Sequence, residues 1–78
     1  MANVDFNREA WFKLTPDEQN HYIDELIKKS VEDGEISLFI ISNELIPHFL
    51  EREEYELVDL LERIYQKVLE GLNWKEAQ

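Results

Sequence analysis

The chain has 78 residues, eighteen acids against eight lysines and arginines, and a formal charge of −10. That length is near the lower limit at which one core folds without staples, and the lack of cysteine excludes disulfides and thiolate metal sites. A hydrophobic fraction of 44% supports a core, while the negative surface disfavours direct contact with nucleic acid or anionic lipid and favours a basic protein partner.

Residues 1–5 carry neither the basic region nor the apolar run of a secretory signal. The longest apolar run, 38–41, is far too short to cross a membrane. With no cysteine to suggest an oxidising compartment, the cytoplasm is the expected location. No linker, repeat or low-complexity segment divides the chain, so one helical domain is expected over 1–78.

The first element is a short helix over 6–14, with Phe6, Ala10 and Leu14 at i, i+4 and i+8. Trp11 and Phe12 stand beside that face. Adjacent helical residues cannot share a face, so one of the two is expected to be exposed as an anchor for a partner, while Phe6 is expected to fold back on the core. Trp74, near the other end, is a similar candidate.

Thr15-Pro16-Asp17-Glu18 marks the start of the second helix, over 16–32. Threonine caps, proline suits the first position, and a glutamate three residues on completes a capping box. Tyr22, Ile23, Leu26, Ile27 and Val31 form its apolar face, with Ser30 among them. Asp24–Lys28 and Glu25–Lys29 are i,i+4 pairs in the favourable order. Gly34 is the expected terminator.

The third segment, 36–50, is the most apolar. Its polar residues Ser37, Glu44, His48 and Glu51 fall on a narrow stripe, and Leu38, Phe39, Ile40, Ile41, Leu45, Ile46, Phe49 and Leu50 fill the rest. Such a helix is either central to a bundle or meets a second protein. Pro47 is expected to kink or divide it. The fourth helix spans 53–71, with Tyr55, Val58, Leu61, Ile64, Tyr65, Val68, Leu69 and Leu72 on one face and Asp59–Arg63 as a further pair.

The expected architecture is therefore all-α: a small antiparallel bundle of three main helices plus a short N-terminal helix as a lid. The stretch Phe49-Leu50-Glu51-Arg52-Glu53-Glu54-Tyr55, continued to Leu61, resembles the turn of a tetratricopeptide-type hairpin. The resemblance covers about one hairpin, and a single unit cannot form a solenoid.

Catalytic chemistry finds little to stand on. Glu18-x-x-His21 has the spacing used in di-iron bundles, but Leu45 stands where the second such glutamate would precede His48. Glu44, His48 and Glu51 share a stripe that could hold zinc weakly or raise the His48 pKa between two carboxylates. Its plainer reading is a solvated face. No serine is set in a nucleophile elbow and no glycine-rich loop cradles phosphate. The segment Asp33-Gly34-Glu35 is too short for a calcium loop. No enzyme activity, metal or cofactor is expected.

The acids are unevenly placed. Between Lys29 and Arg63, Arg52 is the only base against ten acids, which gives this window nine of the ten net negative charges. Glu56, Asp59 and Glu62 follow at i, i+3 and i+6, a rise of about 4.5 Å per step. With Glu53 they could form a short carboxylate ladder of the kind by which some small acidic phage and plasmid proteins stand in for phosphates, but Arg63 and Lys67 interrupt it, and a fifteen-residue helix sets the acids of the two turns roughly 20 Å apart.

The expected function is a protein-binding module of inhibitor, antagonist or immunity type. It would occupy a basic site on a partner, a nucleic-acid-binding site being one such case, through Glu51, Glu53, Glu54, Glu56, Asp59 and Glu62, with Trp11 or Phe12 as anchor. The alternative is an adaptor or homodimer built on Leu38, Phe39, Ile40 and Ile41, its acids serving only solubility.

Overall fold

A computed structural model describes residues 6–76, and side chains as far as residue 73. Residues 1–5, read above for a targeting signal, lie outside the described residues, as does the side chain of Trp74. Among the described residues the chain is all-helical, with no strand. The elements are α1 (Arg8–Lys13), α2 (Pro16–Asp33), α3 (Glu35–Ile40), a π-helical turn (Ile41–Leu45), α4 (Ile46–Glu51) and α5 (Tyr55–Glu76).

Helix α1 starts later than its apolar spacing suggests, because Asn7 caps it. The Asn7 carboxamide oxygen accepts from the Ala10 N–H at 3.0 Å. Phe6 then stands just outside the helix and packs on Trp11, with ring centroids 5.5 Å apart. That pairing across the cap is a hydrophobic staple. Six residues cannot hold a helix alone. Phe6 also packs edge-on against Tyr22 and Phe49, each at 5.8 Å, and Trp11 meets Tyr22 at 5.9 Å. Gln19 donates to the Trp11 carbonyl at 3.1 Å. Aromatic burial and hydrogen bonds, among them Asn7 N–H to the Tyr22 hydroxyl at 3.3 Å, thus fasten α1 to α2 and α4.

The capping box forms at α2: the Thr15 hydroxyl accepts from Glu18 N–H at 3.3 Å, and Glu18 Oε1 accepts from Thr15 N–H at 3.0 Å. Gly34 ends the helix with φ +83°, a conformation open to glycine at no steric cost. Of the three i,i+4 ion pairs named above, only Asp59–Arg63 closes, at 3.0 Å. Asp24–Lys28 and Glu25–Lys29 remain apart, as suits solvent-exposed pairs worth at most about 1 kcal/mol.

Pro47 does not divide the third segment. The helix widens just before it: Ile46 N–H bonds Ile41 O in the i→i+5 pattern, and Asn43 Nδ2 donates to Phe39 O at 3.2 Å. The wide turn also resets the buried face. In a straight α-helix each four-residue step overshoots by about 40°. The π turn absorbs that drift, so Ser37, Ile41 and Phe49 all face inward with Leu45 half-buried between them.

Ser37 is therefore no part of a polar surface stripe. It is fully buried, and its hydroxyl lies 2.7 Å from Ser30 O and 2.6 Å from Gly34 O, satisfying the junction of α2 and α3. The Ser30 hydroxyl beside it is buried without a partner.

Helix α5 carries the core: Leu57, Val58, Leu61, Ile64 and Val68 are buried against α2, α3, α4 and the π turn. Tyr55, assigned to this face from the sequence, is 61% exposed, and Leu57 takes the inner position. Nor does the helix stop at Gly71. A Cβ there would come within 2.8 Å of Val31 Cγ2, so the glycine lets α5 approach α2 closely and the helix continues to Glu76.

Candidate functional site

The six acids singled out from the sequence gather on the turn from α4 to α5 and on the outer face of α5. The turn is built by backbone bonds. Glu54 N–H donates to Phe49 O at 3.0 Å and Glu53 N–H to Leu50 O at 3.1 Å. This geometry closes a helix whose next residue is left-handed, a place usually held by glycine. Here it is held by Glu53, with φ 59°.

The six acids are not equivalent. Glu51, Glu53, Glu56 and Glu62 are exposed and, among the described residues, paired with no basic side chain. Asp59 is exposed but bound to Arg63. Glu54 is withdrawn, its side chain 17% exposed. One oxygen accepts from Arg8 Nε, and the other lies 3.5 Å from Arg52 Nε, within Coulombic reach but without hydrogen-bond geometry. Two arginines already neutralise Glu54, so it is a structural carboxylate rather than a free one.

Two apolar side chains bracket the acidic turn. Leu50 is 50% exposed at the end of α4, and Tyr55 opens α5. Sequence reasoning missed both, having placed each on an inward or general apolar arc. The available signal was Leu57, which forms an i, i+4, i+7, i+11 series with Leu61, Ile64 and Val68 and turns Tyr55 outward.

At α1 the aromatic pair divides. Trp11 is half-buried in the Phe6–Tyr22 packing, whereas Phe12 is 55% exposed with the Arg8 guanidinium 5.1 Å from its ring centroid.

The apolar arc of the central segment divides likewise. Ile41 is fully buried and Leu38 and Ile40 partly so, while Ile36 and Phe39 are exposed.

His21 is exposed, and Glu18 is engaged in its capping box, which holds its carboxyl below the usual value chiefly through the Thr15 backbone N–H and then through the Thr15 side chain. His48 is exposed beside the Phe49 ring, and neither Glu44 nor Glu51 bonds to it. Among the described residues no three His, Asp or Glu side chains converge as a metal site would require.

No described helix is long and apolar enough to cross a membrane. The features above define an all-helical protein with an acidic turn and helix face. Comparison with protein families, characterised proteins and solved structures finds no match.

Proposed function

We propose that the protein is a binding module, and not an enzyme, whose face of Glu51, Glu53, Glu56 and Glu62 around Leu50 and Tyr55 occupies a basic site on a partner protein. Such a site would ordinarily hold nucleic acid, and the module acts as an inhibitor, antagonist or immunity protein in the cytoplasm, without a cofactor. The arrangement that best serves this is an antiparallel bundle of three main helices with α1 as a lid.

The observation that carries the reading is the placement of Glu53. A left-handed non-glycine residue costs roughly 1–2 kcal/mol. Acids at a helix C-terminus, here Glu51 and Glu53, oppose the helix dipole by a further ~0.3–1 kcal/mol each. Acids needed only for solubility have cheaper positions on the surface. Locally unfavourable residues held together in one place are expected at a functional surface. Free carboxylates would take arginine in paired hydrogen bonds, and Leu50 and Tyr55 would supply the desolvated anchors.

A second reading, association through the central helix, draws support from exposed Ile36 and Phe39. It uses a smaller apolar patch than the sequence suggests, because Ile41 lies in the core.

Capture from a lysate of the native host at low and high salt tests the first reading against the second. Wild type is compared with Glu53→Lys, Glu56→Lys, Glu62→Lys. A basic partner held by wild type, released by salt and lost in the variant is the expected result. A partner or self-association indifferent to both salt and variant would overturn the acidic-face reading in favour of Ile36 and Phe39.

A further inference from the structure

The acidic face continues into a groove. Between the π-helical turn and α5 lies a space of about 390 Å³ lined by Ser42, Ile46, Glu62, Arg63, Tyr65 and Gln66. Ser42 and Ile46 stand four residues apart on the central segment, and the next step of four reaches Leu50, the exposed leucine beside the acidic turn. On α5, Glu62 stands seven residues beyond exposed Tyr55, two helical turns along one stripe. Glu62 therefore belongs to both surfaces, as the last acid of the face and as a wall of the groove.

Ile46 and Tyr65 are each half-buried, so both offer apolar surface to an incoming side chain. The Ser42 hydroxyl is occupied within the central segment, where it accepts from Asn43 Nδ2 at 3.0 Å and donates to Phe39 O at 3.4 Å. The base that lines the groove, Arg63, is held by Asp59 at 3.0 Å. Glu62 is left as the uncompensated charge beside an apolar space.

We infer that the groove receives an amphipathic basic helix of the partner protein, with an apolar side chain between Ile46 and Tyr65 and an arginine or lysine on Glu62. The inference rests on the acidic-face reading and narrows it, from a basic site of any shape to a helix that carries an apolar stripe. Charge selects the occupant first. A second copy of this chain would bring its own −10 against the groove, whereas a basic segment is drawn along Glu51, Glu53 and Glu56 towards Glu62. Shape selects it next. Leu50, Ile46 and Tyr65 follow the seam between two packed helices, and a helix laid in such a seam presents apolar anchors at i, i+3, i+4 and i+7 with its polar side outward. A uniformly basic segment would leave that apolar wall unused.

The test is an NMR titration of the full, isotope-labelled chain with three synthetic peptides of equal charge. One is an amphipathic helix of leucine and arginine, the second holds the same residues in an order that scatters the leucines, and the third carries only arginine and glycine. Gln66→Lys sets a cation in the groove at an exposed position, and Asn20→Lys makes the same charge change at an exposed position on α2. Saturable shifts at Ser42, Ile46, Glu62 and Tyr65 are expected with the amphipathic peptide. Its affinity should exceed that of the other two by about tenfold or more, the size of one well-packed anchor. Gln66→Lys should weaken it by a similar factor, and Asn20→Lys by about twofold at most. Equal affinity of the three peptides, shifts that bypass the groove, or equal effects of the two lysines would overturn the groove. Shifts at the same residues that grow with protein concentration alone would give it to a second copy and overturn the partner helix. The variant Glu53→Lys, Glu56→Lys keeps the two failures apart. If it loses all three peptides while their order makes no difference, the acidic face stands without the groove. If it binds them as wild type does, the acidic-face reading falls and this extension with it.

Discussion

Glu53 concentrates several unfavourable choices in one residue: a positive φ of 59°, a negative charge at a helix end, and exposure. Glycine relieves the backbone cost directly. The Glu53→Gly variant should be more stable by roughly 0.5–1 kcal/mol in urea denaturation, the left-handed cost being partly offset by the freedom glycine gains in the unfolded chain. The same variant should bind the partner less well. A gain in stability with unchanged binding would mark the strain as incidental. Other single residues were not legible in the sequence for a common reason. Ser37 is a core residue because it satisfies carbonyls on the preceding turn, and Glu54 is structural because Arg8 reaches it from α1. Residue type and spacing say nothing of either.

At the scale of elements, what could be read locally was read well. The Thr15–Glu18 box, the Gly34 stop and the α1-to-α2 break depend on residues a few positions apart. The π turn and Gly71 depend on tertiary contact: one lets Ser37, Ile41 and Phe49 share a face, the other accommodates Val31. The capping box also makes a pH-dependent contribution. The Glu18 carboxyl is held below its ordinary value, first by the Thr15 backbone N–H. A lowered folded value means that its stabilisation is present above the ordinary carboxylate range and is lost as pH falls through the lowered one. Thr15→Ala should cost about 1 kcal/mol at neutral pH. Glu18→Gln keeps an acceptor but cannot titrate, so its stability should fall less than that of wild type on acidification. Parallel acid limbs in urea denaturation would contradict this.

For the whole molecule, the uneven charge sets stability against function. Ten net negative charges on a small fold repel one another, and salt relieves that repulsion. Raising ionic strength should therefore stabilise the fold while weakening its hold on a basic partner. Charge reversal separates the two effects. Each Glu→Lys change removes one negative charge and adds one positive, so Glu53→Lys, Glu56→Lys, Glu62→Lys carries the net charge from −10 to −4. At low salt the triple variant should gain on the order of 1 kcal/mol, from a few tenths per relieved neighbour. The gain should vanish near 1 M salt, where the screening length is about 3 Å. Acids that a fold would be more stable without are retained only for a use. If the triple variant is both more stable and unable to bind, the acidic face is that use. If it is more stable and binds as before, the carboxylates only keep the protein in solution, and Ile36 and Phe39 become the surface to follow.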